Sequence, residues 1–170
     1  MMPSAPILSD ELRNGCGGYL SNRRIAASLA AASMAALGIV ALYQLGVFKR
    51  LPEPGLPFLD AAKVHGSPDA YGILETPDAV LGLGSYAATL GLIAMGGARR
   101  AEEQPWLPLA LAAKAGADLL QAASLTRKSW VRFHRFSLYS LVAAFATLLT
   151  LPAVIPEARA ASLRMRRDWR

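Results

Sequence analysis

Hydrophobic residues in this chain collect in four blocks, and short segments between the blocks hold most of the charge. The first block carries no charged residue. A helix rises about 1.5 Å per residue, so roughly 20 apolar residues cross about 30 Å of bilayer hydrocarbon. The pattern therefore predicts four membrane-crossing helices, at residues 25–48, 77–97, 105–125 and 136–155.

The order of the blocks predicts an all-α fold, a polytopic membrane four-helix bundle. Residues 1–24 form an N-terminal segment, 25–155 the transmembrane domain and 156–170 a basic tail. The connection 49–76 contains four prolines and is long for so small a protein. Connections of this length are usually functional or carry structure of their own. We expect an outward-facing loop or cap there.

Charge predicts the orientation of the bundle. The chain is 54% hydrophobic and 18% charged, with a formal net charge of +6. If both termini share one side, that side holds ten of the 18 Lys and Arg residues and the other holds seven, with Lys114 left inside the membrane. Because cytoplasmic loops are enriched in Lys and Arg, we expect a multi-pass protein of a bacterial-type inner membrane with both termini cytoplasmic. The lipid bilayer is the expected partner, and nucleic acid is not, because no aromatic-plus-basic reader motif is present.

The third block contains a charged pair, Lys114 and Asp118, with Gln121 close to the same face. Residues four apart lie on one face of a helix. Charges at membrane depth are costly unless they face the bundle interior or water. The pair is either a structural salt bridge, buried or facing a partner, or part of a proton or ion relay.

A further pattern joins the long connection to the second block. It combines an Asp60-x-x-x-Val64 start with Ser67-Pro68, Tyr71-Gly72 and Pro77, followed by a Leu81-Gly82-Leu83 run that ends at Tyr86. The fourth block begins with VRFHRFSLYS at residues 131–140, at a matching distance. Together with the four-span topology, these residues resemble the vitamin K epoxide reductase family over roughly residues 25–155.

The resemblance implies a redox chemistry whose residues are missing. In the family, electrons pass from a thioredoxin-like partner through a loop cysteine pair and a membrane Cys-x-x-Cys to a quinone. Here Ala61 stands for the second loop cysteine, no thiol lies near Glu53 for the first, and His134 and Ser137 stand for the membrane pair. Cys16 is the only cysteine in the chain. Because only a thiolate exchanges with a disulfide, thiol–quinone catalysis is excluded and no catalytic residue is predicted.

Without the cysteines, this chain could still retain the quinone pocket of the family. Its candidate residues in this chain are His134, Ser137, Ser67 and Tyr86, and quinone is a possible ligand. His65 could also contact a quinone carbonyl. The alternative is that His134 is an interfacial polar residue and His65 belongs to a turn. Two histidines without a carboxylate or thiol at ligand spacing predict no metal site.

Three functions follow from these observations. The first is a non-catalytic membrane protein that serves as an accessory or scaffolding subunit, with other membrane protein subunits as partners. The second is a quinone- or lipid-binding protein that keeps the family pocket. The third is a quinone oxidoreductase with non-thiol chemistry, such as haem held by His65 and His134.

Overall fold

The structure, a computed structural model, describes residues 5–71 and 75–168. Gly72 of the family resemblance and Arg170 of the tail lie outside the described residues. Four long helices dominate, joined by three short helices and a 3₁₀ turn at Pro68–Tyr71. The helices are α1 (Ala5–Asn14), α2 (Leu20–Gln44), α3 (Ala61–His65), α4 (Asp78–Ala94), α5 (Arg100–Glu103), α6 (Trp106–Phe133) and α7 (Leu138–Asp168). The predicted all-α fold is confirmed.

Among the described residues, two helices are long and apolar enough to cross a membrane by length and composition: α2 and most of α7. The apolar helix α4 is shorter, with 17 residues. Helix α6 contains Lys114 and Asp118 and falls outside that group. Four crossings therefore stay a prediction for α4 and α6, whereas the membrane character of the chain rests on α2 and α7.

Small residues form the interior of the bundle. Toward one end, Ala26, Ala30 and Ala115 pack with Ile93, Leu111 and Val154. Toward the other, Ala36, Ala41, Ala61 and Ala79 pack with Val40 and Tyr139. Small side chains let helix backbones approach closely, which is how helices associate where the surroundings are themselves apolar. At Gly82 the approach is so close that a Cβ would lie 2.6 Å from Leu37 Cδ1.

The connection after α2 folds back over one end of the bundle. Asp60 caps α3 by accepting a hydrogen bond from Lys63 N at 2.9 Å. Leu59 forms an isolated parallel bridge with Phe136, just before α7. The Glu53 carboxylate accepts hydrogen bonds from Ala61 N at 2.5 Å and Leu138 N at 2.7 Å. One side chain therefore ties the connection to the first turns of both α3 and α7, and the segment is a cap.

Two buried arginines close the opposite end. Arg23 donates to the carbonyls of Ile93 in the last turn of α4 and of Met95, Gly96 and Gly97 after it. Arg100 donates to carbonyls of the same segment and forms a bidentate pair with Glu157 at 2.8 and 2.7 Å. The last carbonyls of a helix have no partner within the helix and carry partial negative charge, so cations stabilise them. The hydrogen bonds and the ion pair of these two arginines hold α2, α4 and α7 together at this end of the bundle.

Several helix bounds differ from the predicted blocks. Helix α2 spans Leu20–Gln44 where residues 25–48 were predicted. Helix α6 continues past Leu125 to Phe133, so the basic and aromatic segment after the third block is helical. Helix α7 continues past Ile155 to Asp168, although Pro152 and Pro156 lie within it. Helix α1 lies within the N-terminal segment, outside the four predicted blocks. Hydropathy marks where a helix can contact lipid, and hydrogen bonds and packing decide where it ends.

Candidate functional site

A cavity of about 90 Å³ lies inside the bundle beneath the cap. Since one water requires roughly 10–15 Å³ of such space, the cavity has room for several waters or one small ring. Residues from α2, α3, α4, α6 and α7 line it. The polar lining residues are His65, Asp78, Ser85, Tyr86, Asp118, Gln121, Thr126 and Ser140.

His65 is the most buried titratable group of this lining. It ends the cap helix α3 and is 3% exposed. Its Nε2 lies 3.1 Å from Ser140 Oγ of α7. Its Nδ1 lies 3.8 Å from Asp78 Oδ1, beyond hydrogen-bond distance, and has no hydrogen-bond partner among residues 5–71 and 75–168. A buried polar atom without a partner costs about 1–3 kcal/mol, so this nitrogen is the candidate ligand-binding group of the cavity.

Asp78 stands beside His65 at the first turn of α4. Gln44 Nε2, at the end of α2, donates to Asp78 Oδ1 at 2.7 Å and to the His65 carbonyl at 3.3 Å. Gln44 Oε1 accepts from Ala79 N at 3.3 Å. A carboxylate at a helix N-terminus is favoured by the helix dipole. Gln44 therefore holds the cap, α2 and α4 in register around the cavity.

A second set of polar side chains, on α4 and α6, extends from the interior of the bundle to the cavity. Lys114 Nζ lies 2.6 and 2.7 Å from the two Asp118 carboxylate oxygens and donates to Ser85 Oγ at 2.7 Å. Thr89 Oγ1 donates to Asp118 Oδ2 at 3.2 Å. The side chains of Lys114 and Asp118 are 24% and 12% exposed. The ion pair on α6 is thus satisfied by hydroxyl groups of α4, and Asp118 and Ser85 face the cavity.

Of the residues predicted for the quinone pocket, Tyr86 lines this cavity. Its hydroxyl lies 2.5 Å from Thr147 Oγ1 of α7. Ser67 borders a neighbouring cavity of about 550 Å³ on the outer side of the cap, and its hydroxyl donates to the Val64 carbonyl at 3.1 Å. Asp78 and Leu125 border both cavities.

Ser137 and His134 lie outside the cavity lining. Ser137 is buried at the start of α7, and its hydroxyl is 3.5 Å from Ser140 N. His134 follows the last residue of α6 with a positive φ of 49° and is exposed. Its ring makes an edge contact with Trp130 at 5.6 Å between centroids. The structure brings together Tyr86 and Asp118 from the predicted set and leaves His134 at the surface.

From the sequence, His65 was either a contact for a quinone carbonyl or a turn residue. His65 lies in a His-Gly-Ser-Pro stretch, which is turn-prone, and its burial depends on the cap folding onto α7. Asp78 and Gln44 were not singled out. Their position in the sequence could have identified them, since each is a polar residue at the cap-side end of an apolar block.

Glu53 and Ala61, which stand at the positions expected for the loop cysteines, belong to a hydrogen-bonded link between the cap and α7. Glu53 joins the amides of Ala61 and Leu138, and Leu138 directly follows Ser137. Cys16 is exposed between α1 and α2, at the arginine-closed end of the bundle. The cavity therefore has no thiol in its lining.

Fold and site together define an α-helical membrane protein with a small cavity under a cap, lined by apolar surface and several polar side chains. The family model for the vitamin K epoxide reductase family matches residues 24–155. The chain belongs to the vitamin K epoxide reductase family, and the predicted resemblance is confirmed. Neither the comparison with curated proteins nor that with solved structures gives a match.

Proposed function

We propose that this family member binds a small cyclic ligand of the quinone class in the cavity under the cap, without thiol–disulfide chemistry. The observation that carries the proposal is the buried, unpartnered Nδ1 of His65 in the cavity lining. When Ser140 Oγ donates to Nε2, Nδ1 carries the proton. It can then donate a hydrogen bond to a ligand carbonyl.

Two features favour a quinone over other small molecules. A quinone is flat, apolar at its faces and an acceptor at its carbonyls, and the cavity wall combines apolar groups such as Leu37 and Ala143 with donors. Ligand sites in proteins are commonly of this kind, mostly apolar with a few placed polar groups. Membership of a family whose chemistry ends on a quinone supports the same ligand class.

The absence of thiol chemistry in this proposal follows from the sequence. Passing electrons through a dithiol requires two cysteines that form and break a disulfide, and the chain has one. Cys16 lies on the opposite side of the bundle from the cap. We therefore propose binding as the function of the cavity, and a pseudoenzyme as the class.

The test is binding of a short-tail ubiquinone to detergent-purified protein, measured by titration calorimetry. The variant His65→Gln keeps an amide near Nε2, within reach of Ser140, and removes the group at Nδ1. Loss of one hydrogen bond of about 0.5–1.5 kcal/mol predicts binding about 2–13-fold weaker.

His134→Gln is the matched control, because it changes the other histidine at an exposed position. It is expected to bind as the wild type does. No binding by the wild type, or equal binding by His65→Gln, overturns the proposed site. Loss of binding in His134→Gln but not in His65→Gln overturns the proposed site and favours the quinone pocket predicted from the sequence, in which His134 contacts the ligand.

An accessory or scaffolding subunit is the second candidate. Its support is the wide apolar surface of α6 and α7, on which Leu120, Val131 and Phe145 are 75%, 65% and 62% exposed. A partner helix could cover this surface. Purification in mild detergent tests it: a stoichiometric second membrane protein supports the role, and a monomer without a partner contradicts it.

A further inference from the structure

An apolar groove runs between α6 and α7 on the outer surface of the bundle. It encloses about 480 Å³ and is lined mainly by large apolar side chains. These include Leu119, Trp130, Phe136, Leu141, Phe145 and Leu148. Trp130 stacks on Phe136 at 5.3 Å between ring centroids, near one end of both helices. Tryptophan favours the boundary between hydrocarbon and headgroups, so this end of the groove lies at headgroup depth.

Arg127 stands at that end of the groove, and Lys128 follows it in α6. Arg127 borders both the groove and the 550 Å³ cavity between the cap and α6, whereas Lys128 borders only that cavity. Within residues 5–71 and 75–168, neither has a hydrogen-bond or ion-pair partner, and both are exposed. The next arginine on α6 differs, because Arg132 Nε lies 2.7 Å from Asp69 Oδ2. In the described part of the chain, Arg127 and Lys128 are thus neighbouring cations without an ion-pair partner, and Arg127 borders the apolar groove.

We infer that this groove binds one anionic glycerophospholipid. Its phosphate is held by Arg127 and Lys128, and one acyl chain lies along the groove past Phe145 and Leu148. The charges are complementary, since a lipid with a net negative headgroup neutralises two cations that have no ion-pair partner among the described residues. A zwitterionic lipid supplies the same phosphate together with a cationic group that the two side chains repel.

The inference concerns a site separate from the quinone cavity. Ala122, Thr126 and Ala144 form the wall between them, because all three border both spaces. Ala123 borders the groove and does not line the cavity. Substitutions at Arg127, Lys128 and Ala123 therefore test lipid binding without changing His65 or its neighbours.

The experiment measures lipid affinity by native mass spectrometry of the delipidated full-length protein. The probes are phosphatidylglycerol and phosphatidylcholine with identical acyl chains. We expect at least tenfold tighter binding of phosphatidylglycerol. In an Arg127→Gln/Lys128→Gln variant its affinity falls roughly 30-fold, at about fivefold for each basic residue, and phosphatidylcholine binding changes little.

The matched control is Lys49→Gln/Arg50→Gln, which removes the same two charge types from adjacent exposed positions on the cap side. This control should leave phosphatidylglycerol affinity unchanged if binding depends on Arg127 and Lys128 and not on the overall charge of the protein. An equal loss in both double variants, or equal affinity for the two lipids, overturns the inference. The melting temperature without added lipid confirms that each variant is folded.

Two further arms distinguish a lipid from a free anion. Ala123→Trp fills the groove while keeping both cations, and it should weaken phosphatidylglycerol binding. If it does not, no acyl chain occupies the groove. If inorganic phosphate at equal concentration displaces the lipid, the site recognises an anion without its acyl chain, and the inference is contradicted.

Discussion

Arg100 is fully buried, and its charge is balanced by one carboxylate. Its side chain is 0% exposed, that of Glu157 is 3% exposed, and the two meet at 2.7 Å. Removing one member of a buried pair leaves an isolated charge in a poorly solvated place, which costs far more than the pair itself contributes. The stability of the arginine-closed end thus depends on Glu157.

Glu157→Gln is expected to lower the free energy of unfolding by about 3–5 kcal/mol, because Arg100 loses its counter-charge while staying buried. Thermal or denaturant unfolding in detergent measures this. Glu103→Gln is the control, since Glu103 pairs with Arg99 at 3.1 Å on an exposed surface. Exposed pairs contribute up to about 1 kcal/mol. Equal effects of the two variants would contradict a special role for the buried pair.

His65 shows at the same scale what its local sequence left open. The Gly-Ser-Pro residues that follow it favour a turn, whereas Ala61 and Val64 before it offer an apolar helix face. Contact with Ser140, 75 residues away, places it inside the bundle. His134 shows the opposite outcome, because a position matched to a catalytic cysteine lies exposed at the end of α6.

At the scale of elements, hydrogen bonds from the cap to α2 and to the start of α7 hold the cap on the bundle. Glu53 uses both carboxylate oxygens, one on α3 and one on α7. Both acceptors satisfy amides at helix N-termini, which have no partner within the helix. Tyr139 of α7 also donates to the Pro52 carbonyl. The cap therefore stays closed over His65 without a disulfide.

Glu53→Gln replaces one acceptor oxygen by an NH₂ group and should open the cap locally. We expect faster hydrogen exchange at the amides of Ala61 and Leu138, with protection falling about 5–150-fold for a loss of about 1–3 kcal/mol. Exchange mass spectrometry measures it. Glu102→Gln, exposed on α5, should leave these amides unchanged. Unchanged exchange in Glu53→Gln would show that other contacts hold the cap.

At the scale of the whole molecule, the helix ends fall into two groups, one at each end of the bundle. The first turns of α2, the end of α4 and Glu157 of α7 meet through Arg23 and Arg100. The cap, the end of α6 and the start of α7 meet at the opposite end. We therefore propose, as the charge count predicts, that both termini are cytoplasmic in an inner membrane and that the cap faces outward.

The single cysteine provides the test of that orientation. Cys16 is exposed near the arginine-closed end, so a membrane-impermeant maleimide should label it only after spheroplasts are permeabilised. In a Cys16→Ser background, Lys63→Cys on the cap should be labelled in intact spheroplasts, since Lys63 is exposed. The reverse pattern would place both termini outside.

The sequence by itself determined the helical class, the membrane character, the family and the presence of a single cysteine. Each of these depends on composition, on local periodicity or on which residue types occur at all. The tertiary structure decided where α6 and α7 end, that the connection is a cap, and which polar side chains meet in the cavity. Those features depend on contacts between residues such as Glu53 and Leu138 or His65 and Ser140, 85 and 75 positions apart. Local sequence preferences do not encode such distances, because burial of a polar group is set by what folds over it.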